Sequence, residues 1–180
     1  MKKFLLFSFF LVGCGQVVSQ AQLPPHVRLS AEAGLMALAT PLSEDIFVTA
    51  DHAWQKAGAL TWQDQDLQVL ARDFERNLIF MKIDEWAGAV ATWTDQALAV
   101  GAEVYWVDGL KSYSGTILSL SEDSKDWFVV ASRDQDFLPG SPVFNMAGDV
   151  LGILMYQDQV NGTFEGVRSD RVLDFYEQIQ

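Results

Sequence analysis

Nine short apolar runs, rich in aromatic and β-branched residues, follow one another along the chain between glycine, aspartate and serine residues. Each run is four to seven residues long, which is short for a helix and typical of a strand. Their spacing predicts an all-β fold, either a barrel or a sandwich. The runs are residues 35–39, 46–49, 78–83, 104–107, 116–120, 127–131, 142–145, 150–156 and 163–167.

The last segment of the chain has a different period, which predicts a helix. Its apolar residues recur at i, i+3, i+4 and i+7, as Val172, Phe175, Tyr176 and Ile179. Ser169 and Asp170 stand directly before this pattern and are candidate capping residues. We expect an amphipathic terminal helix that packs one face against the strands.

The N-terminus has the pattern of an export signal: a methionine and two lysines precede an apolar stretch over residues 4–12. Residues 11–14 (Leu-Val-Gly-Cys) resemble the bacterial lipobox, and Cys14, the only cysteine, would then carry the lipid. The resemblance implies a periplasmic protein anchored to the outer membrane. The alternative is cleavage around residues 19–21, which would release a soluble exported protein without Cys14. We therefore assign residues 1–13 to a signal peptide and 14–26 to a tether.

The composition excludes several classes of function. The formal net charge of −12 becomes −14 once the two lysines of the signal are removed, so nucleic acid is not expected as a partner. Apart from the signal, no apolar run is long enough to cross a bilayer, so we expect membrane attachment only through Cys14. With two histidines in the whole chain, neither a metal nor a cofactor is expected. The remaining length suits one domain, residues 27–180.

Several motifs in sequence order resemble those of trypsin-like serine peptidases. Residues 46–53 (Ile-Phe-Val-Thr-Ala-Asp-His-Ala) resemble the strand and turn that present the general base, and residues 69–83 resemble the segment that carries the aspartate. Residues 100–109 are similar to the start of the second barrel. Residues 137–142 (Phe-Leu-Pro-Gly-Ser-Pro) resemble the Gly-x-Ser-Gly-Ser-Pro nucleophile loop, and residues 143–153 the hairpin that follows it.

The resemblance extends over roughly residues 35–179 and is closest to the compact bacterial HtrA and glutamyl-endopeptidase types. It implies two six-stranded antiparallel barrels, dividing near residues 94–100, with a C-terminal helix and a cleft between the barrels. No disulfide is required, which agrees with the single cysteine.

The same resemblance implies that the catalytic site is degenerate. His52 takes the position of the base, Asn77 that of the aspartate and Pro139 that of the attacking serine. Proline supplies neither a hydroxyl nor a backbone N–H, so the nucleophile and one oxyanion donor are both missing. Phe137 replaces a glycine whose amide is the other donor. An amide at position 77 neither stabilises an imidazolium nor selects the tautomer that catalysis needs.

Three interpretations of this site stay open. The first is a pseudopeptidase that holds an extended peptide or a protein partner in the cleft. The second is a working serine endopeptidase in which a rearranged loop brings Ser141 to His52. The third is a structural role that uses the surface alone, with His52 a partly buried residue without a task. Asp134 and Asp136, just before the loop, are interpreted as solvated turn residues rather than an acid/base pair.

Overall fold

The computed structural model describes residues 25–32, 34, 36–121, 126–133 and 136–180. The proposed signal peptide, Cys14 and nearly all of the tether lie outside the described residues. Among those that are described, no helix combines the length and the apolar character that crossing a bilayer requires.

The first half of the fold is a curled antiparallel sheet of seven strands in the order β5-β4-β1-β2-β3-β7-β6. Its two outermost strands are consecutive in the chain and are separated only by the buried Leu67. The sheet must therefore curl until its two ends come close together. The strands are β1 Val27–Ser30, β2 Met36–Pro41, β3 Ile46–Ala50, β4 Thr61–Trp62, β5 Gln65–Asp66, β6 Gln68–Asp73 and β7 Leu78–Lys82.

The second half is a closed antiparallel barrel of six strands in the order β10-β13-β12-β11-β8-β9. Every neighbouring pair is connected by backbone hydrogen bonds, so this barrel has no free edge. The strands are β8 Glu103–Val107, β9 Ser112–Leu120, β10 Trp127–Ala131, β11 Ser141–Phe144, β12 Val150–Asp158 and β13 Thr163–Arg168.

The all-β class with a C-terminal helix is confirmed, and one detail of the predicted architecture differs. The resemblance implied two six-stranded barrels, whereas the first sheet has seven strands and its ends do not pair. The reason is local: β4 and β5 form a hairpin of two-residue strands at one end of the sheet. A hairpin this short cannot supply the hydrogen bonds that would close the sheet onto β6.

Apolar side chains fill both halves and the region between them. One core is built around Phe47 and Phe80, and the barrel core is built around Trp106, Phe128 and Phe164. A third cluster connects the halves and joins residues of β2, β8, β11 and β12 with Ala91 of the connecting segment. The two halves thus pack directly on one another, and their contact places β2 of the first beside β11 of the second.

Two helices complete the fold: α1 over Asp51–Ala57 and α2 over Ser169–Ile179. The apolar face of α2 packs on the first sheet, with Val172 fully buried and the ring of Phe175 5.2 Å from that of Phe80. The expected cap is wrong, because no side chain caps α2. The hydroxyl of Ser169 instead donates to the carbonyl oxygen of Thr94, which fixes α2 to the segment between the two halves.

Candidate functional site

His52 is the second residue of α1 and is held there by Asn77. The first turn of a helix has N–H groups without partners inside the helix. Asn77 supplies two: its carbonyl oxygen accepts from the backbone N–H of Asp51 at 2.7 Å, and its Oδ1 accepts from that of His52 at 2.8 Å. Asn77 has φ +57°, a conformation that asparagine adopts more readily than most residues. The turn between β6 and β7 therefore fixes the start of α1.

An ion-pair network anchors the turn that carries Asn77. Arg76 contacts Asp73 at 2.7 Å and Asp126 at 3.0 Å, and Asp126 also contacts Arg171 of α2 at 3.0 Å. These pairs are at least partly buried, and they connect three segments that are distant in sequence. The position of Asn77 thus depends on both halves of the fold and on α2.

The hydrogen bonds of Asn77 decide the tautomer of His52. A backbone N–H can only donate, so the atom of Asn77 that faces it must be the oxygen Oδ1. The amide nitrogen Nδ2 then faces Nδ1 of His52 at 2.6 Å and donates to it. Nδ1 of the neutral ring must carry the lone pair, and the proton is on Nε2.

This tautomer is the opposite of the one that serine-protease catalysis uses. A general base takes the serine proton on a free Nε2 while Nδ1–H donates to a carboxylate. In this chain Nε2 already carries a hydrogen and Nδ1 is the acceptor. The site therefore offers a hydrogen-bond donor where a base would be required.

Tyr156 of β12 covers the His52 ring and was not identified from the sequence. The two rings are stacked with their centroids 4.9 Å apart, and Tyr156 Oη accepts from Asn77 Nδ2 at 2.6 Å. The ring of Trp127 extends the stack, with its centroid 6.1 Å from that of Tyr156. Because Tyr156 keeps 41% of its surface exposed, the stack forms an aromatic face open to a ligand. Tyr156 is 79 positions from Asn77, and no local sequence signal connects the two.

Burial lowers the pKa of His52 below its ordinary value of 6.5. The contact with Asn77 and the charge of Asp51 act in the opposite direction without cancelling the effect of burial. His52 is therefore neutral at pH 7.

The lowered pKa predicts that His52 makes stability depend on pH. Near and below pH 6.5 the unfolded chain binds the His52 proton more readily than the folded chain does, so the free energy of unfolding falls as the pH falls. The fall levels off once folded His52 is protonated as well. Urea unfolding of the wild type and of His52→Gln between about pH 5 and pH 8 checks this. We expect the wild type to lose stability relative to the variant on acidification, and parallel curves would contradict the assignment.

The loop before β11 is fixed against β2 rather than open to the cleft. The N–H of Leu38 donates to the carbonyl oxygen of Pro139 at 2.9 Å, and the N–H of Gly140 donates to the carbonyl oxygen of Leu154 at 2.9 Å. Gly140 has φ +84°, and a Cβ there would overlap the Leu38 carbonyl oxygen and the Thr49 hydroxyl. The loop therefore has little freedom to rearrange.

Ser141 is the first residue of β11 and is fully buried. Its hydroxyl donates to the carbonyl oxygen of Leu138 at 2.6 Å and accepts from the Leu138 N–H at 3.3 Å. Within the described part of the chain, no hydrogen bond connects Ser141 to His52. The structure thus brings His52, Asn77 and Tyr156 together and leaves Ser141 bonded within its own loop.

The acidic residues near the loop do not form a metal site. Over the described ranges, no group of three or more histidine, cysteine or acidic residues is arranged to hold a metal ion. Asp136 is exposed, and its carboxylate accepts a hydrogen bond from Tyr113 at 3.2 Å. Asp134 lies outside the described residues.

The fold is that of the trypsin-like serine proteases. Its first half is a curled sheet and its second half a closed barrel, His52 lies on the short helix after β3, and a tight loop precedes β11. The Rv3671c protease of M. tuberculosis in its active form has this fold, with a TM-score of 0.72 and 15% identity over 88% of this chain and 82% of that one. A serine endoprotease from Yersinia pestis has a TM-score of 0.73 and 15% identity, and the match covers 87% of this chain and 62% of that one. The HtrA-type protease AlgW has a TM-score of 0.73 and 17% identity, and the match covers 87% of this chain and 60% of that one.

These likenesses lie in the fold and not in close sequence relationship. No protein-family model matches the chain, and no curated protein matches it significantly. The chain is therefore a protein with a serine-protease fold, and its activity has to be argued from its own site.

Proposed function

We propose that this protein is a catalytically inactive member of the serine-protease fold that binds an extended peptide or a segment of a partner protein beside His52. The observation that carries the proposal is the hydrogen bond from Asn77 Nδ2 to His52 Nδ1, which leaves the ring unable to act as a base toward a serine.

The nucleophile position supports the same conclusion independently. Pro139 has no hydroxyl and no N–H, so it can neither attack a carbonyl nor stabilise an oxyanion. In the trypsin triad, the change from aspartate to asparagine alone lowers the rate about 10⁴-fold. Removal of the serine leaves a rate enhancement of at most roughly 10³ to 10⁴ over the uncatalysed reaction in water. These losses overlap and do not multiply. Either one is large enough to abolish useful turnover.

Peptide binding does not need the residues that are missing. Extended peptides are held mainly through their main-chain groups, with side chains packed on adjoining surfaces. The half-buried His52 and the stacked Tyr156 and Trp127 offer a polar group beside an aromatic surface. Aromatic rings of this kind are favoured at binding sites because they bury a large area and keep a polar end.

An activity probe separates this proposal from the endopeptidase alternative. We expect no labelling of the purified protein by a fluorophosphonate probe and no cleavage of casein, because among the described residues no hydroxyl is hydrogen-bonded to the His52 ring. Bovine trypsin, treated in parallel, controls for probe quality. Stoichiometric labelling that disappears in Ser141→Ala would establish instead that the loop rearranges and that the protein is an enzyme.

A further inference from the structure

The side chain of Asn77 uses all of its hydrogen-bonding capacity in the site except one lone pair of its oxygen. Its Oδ1 accepts from the His52 backbone N–H, and the two hydrogens on Nδ2 go to His52 Nδ1 and Tyr156 Oη. Both contacts of Nδ2 measure 2.6 Å. The amide cannot flip, because a flip would place two N–H groups face to face and leave Nδ1 and Oη without donors.

In this arrangement both rings direct a hydrogen-bond donor toward the cleft. His52 accepts on Nδ1, so its only hydrogen is on Nε2 and points away from Asn77. Tyr156 accepts on Oη, so its own hydroxyl hydrogen also points away from the amide. Within the described residues neither hydrogen has a partner. The site therefore presents two donors, His52 Nε2–H and Tyr156 O–H, on adjacent stacked rings.

Both groups keep these hydrogens near neutral pH. Burial lowers the pKa of His52, which keeps the ring in its neutral form. Burial raises the pKa of Tyr156 above its ordinary value of 10.0, and the charge of Glu165, directly opposite on β13, acts in the same direction. A neutral imidazole and an un-ionised phenol donate without adding positive charge to the site.

The charges around the two rings select a neutral acceptor over an anionic one. The fully buried Asp51 precedes His52, and Glu165 pairs with Tyr156 across the strands. Arg72 is already paired with Asp51, and Lys56, the cation nearest along α1, is exposed and screened by solvent. A carboxylate ligand would therefore meet no unpaired buried cation, and the exposed Glu165 beside Tyr156 would repel it weakly, whereas a carbonyl oxygen would meet only the two donors.

We propose that Asn77 sets the hydrogen-bonding polarity of this site, so that the site recognises the carbonyl oxygen of a neutral amide, such as a peptide group, through His52 and Tyr156. The proposal rests on the proposed function, whose ligand it specifies. It assigns Asn77 as a positioning residue that acts through both rings, and Tyr156 as a ligand-binding residue.

A single substitution of nearly identical shape reverses this polarity. In Asn77→Asp, one carboxylate oxygen still accepts from the His52 backbone N–H, and aspartate tolerates the positive φ. The second oxygen accepts where Nδ2 donated, so His52 carries its hydrogen on Nδ1 and Tyr156 turns its hydroxyl inward. In the neutral ring both outward donors are then lost, and Nε2 becomes an acceptor. The carboxylate also raises the pKa of His52, so the variant is compared with the wild type at a pH where both rings are unprotonated.

The test uses protein labelled with ¹⁵N at histidine, whose ring nitrogen shifts report the tautomer by NMR. The neutral probe is N-acetylalanine methylamide, which contains only peptide groups, and acetate and methylammonium are compared with it at equal ionic strength. In the wild type we expect the Nε2–H tautomer at His52 and a saturable shift of its ring signals with the neutral probe. Acetate should cause a smaller shift, and methylammonium none.

Two variants test the roles of the residues. Asn77→Asp should show the Nδ1–H tautomer and bind the neutral probe about 30-fold more weakly, since two hydrogen bonds worth roughly 1 kcal/mol each are lost. Tyr156→Phe keeps the stacking ring and the tautomer and should lose only part of the affinity. An Nδ1–H tautomer in the wild type, an unchanged affinity in Asn77→Asp, or stronger binding of acetate or methylammonium would each overturn the proposal.

Failure of this inference differs from failure of the proposed function. Labelling of Ser141 by the fluorophosphonate probe would overturn the inactive assignment whatever the tautomer is. Conversely, an unlabelled protein with an Nδ1–H tautomer would overturn only the polarity assigned to Asn77.

Discussion

Gly140→Ala should destabilise this protein by more than about 3 kcal/mol. Two costs combine: alanine is strained at φ +84°, and its Cβ would overlap the Leu38 carbonyl oxygen and the Thr49 hydroxyl. Both oxygens belong to the first sheet, so the clash would push the loop off β2. Urea unfolding followed by circular dichroism measures the loss, and soluble yield and Tm report it if the variant is too unstable to titrate.

Gly101→Ala is the matched control for this prediction. Gly101 has φ +88°, almost the same conformation, but no atom lies within 4 Å of the position that a Cβ would take. This variant therefore carries the conformational cost alone, roughly 1 kcal/mol. Equal stability of the two variants would show that the loop can move away from β2, and the rearranged endopeptidase would become plausible again.

Phe128→Ala should cost about 3 to 5 kcal/mol, because it empties the centre of the closed barrel. The fully buried ring of Phe128 lies over two glycines on neighbouring strands. A Cβ on Gly152 would come within 2.5 Å of the ring, and a Cβ on Gly166 within 2.6 Å. Since neither glycine has a side chain that could fill the space, the cavity cannot collapse easily. Urea unfolding of the purified variant measures the effect.

Phe74→Ala provides the comparison, since it removes the same atoms from a side chain that is 71% exposed. We expect this change to stay within about 0.5 kcal/mol of the wild type. If Phe128→Ala were equally mild, the barrel would have to be far more plastic than its packing indicates.

The sequence predicted those strands whose apolar character is continuous. The runs at 46–49 and 150–156 correspond to β3 and β12, and each of the other seven runs also overlaps a strand. Strands β4 and β5 were missed because two residues carry no periodic signal, and β6 because polar residues interrupt it. Helix α1 was missed because seven residues barely complete two turns. Tertiary contacts define these elements more than their own composition does.

The candidate site was predictable only as far as its motifs extend. The strand-and-turn motif indicated His52, and the resemblance of residues 69–83 to the segment that carries the aspartate indicated Asn77. The tautomer follows from which atom of Asn77 faces the His52 backbone, and only coordinates contain that information. Tyr156 comes from the other half of the fold, and nothing near it in the sequence marks a residue that stacks on a histidine.

The near-meeting of the two sheet ends at Leu67 also limits the free edge of the first sheet. An open sheet normally leaves a row of unpaired backbone groups onto which a second molecule can add a strand, and fibres grow in this way. Here one margin is a strand of only two residues, and the other lies beside α2. Both features shorten the edge that intermolecular strand addition would need, in a sheet that does not complete a ring of hydrogen bonds.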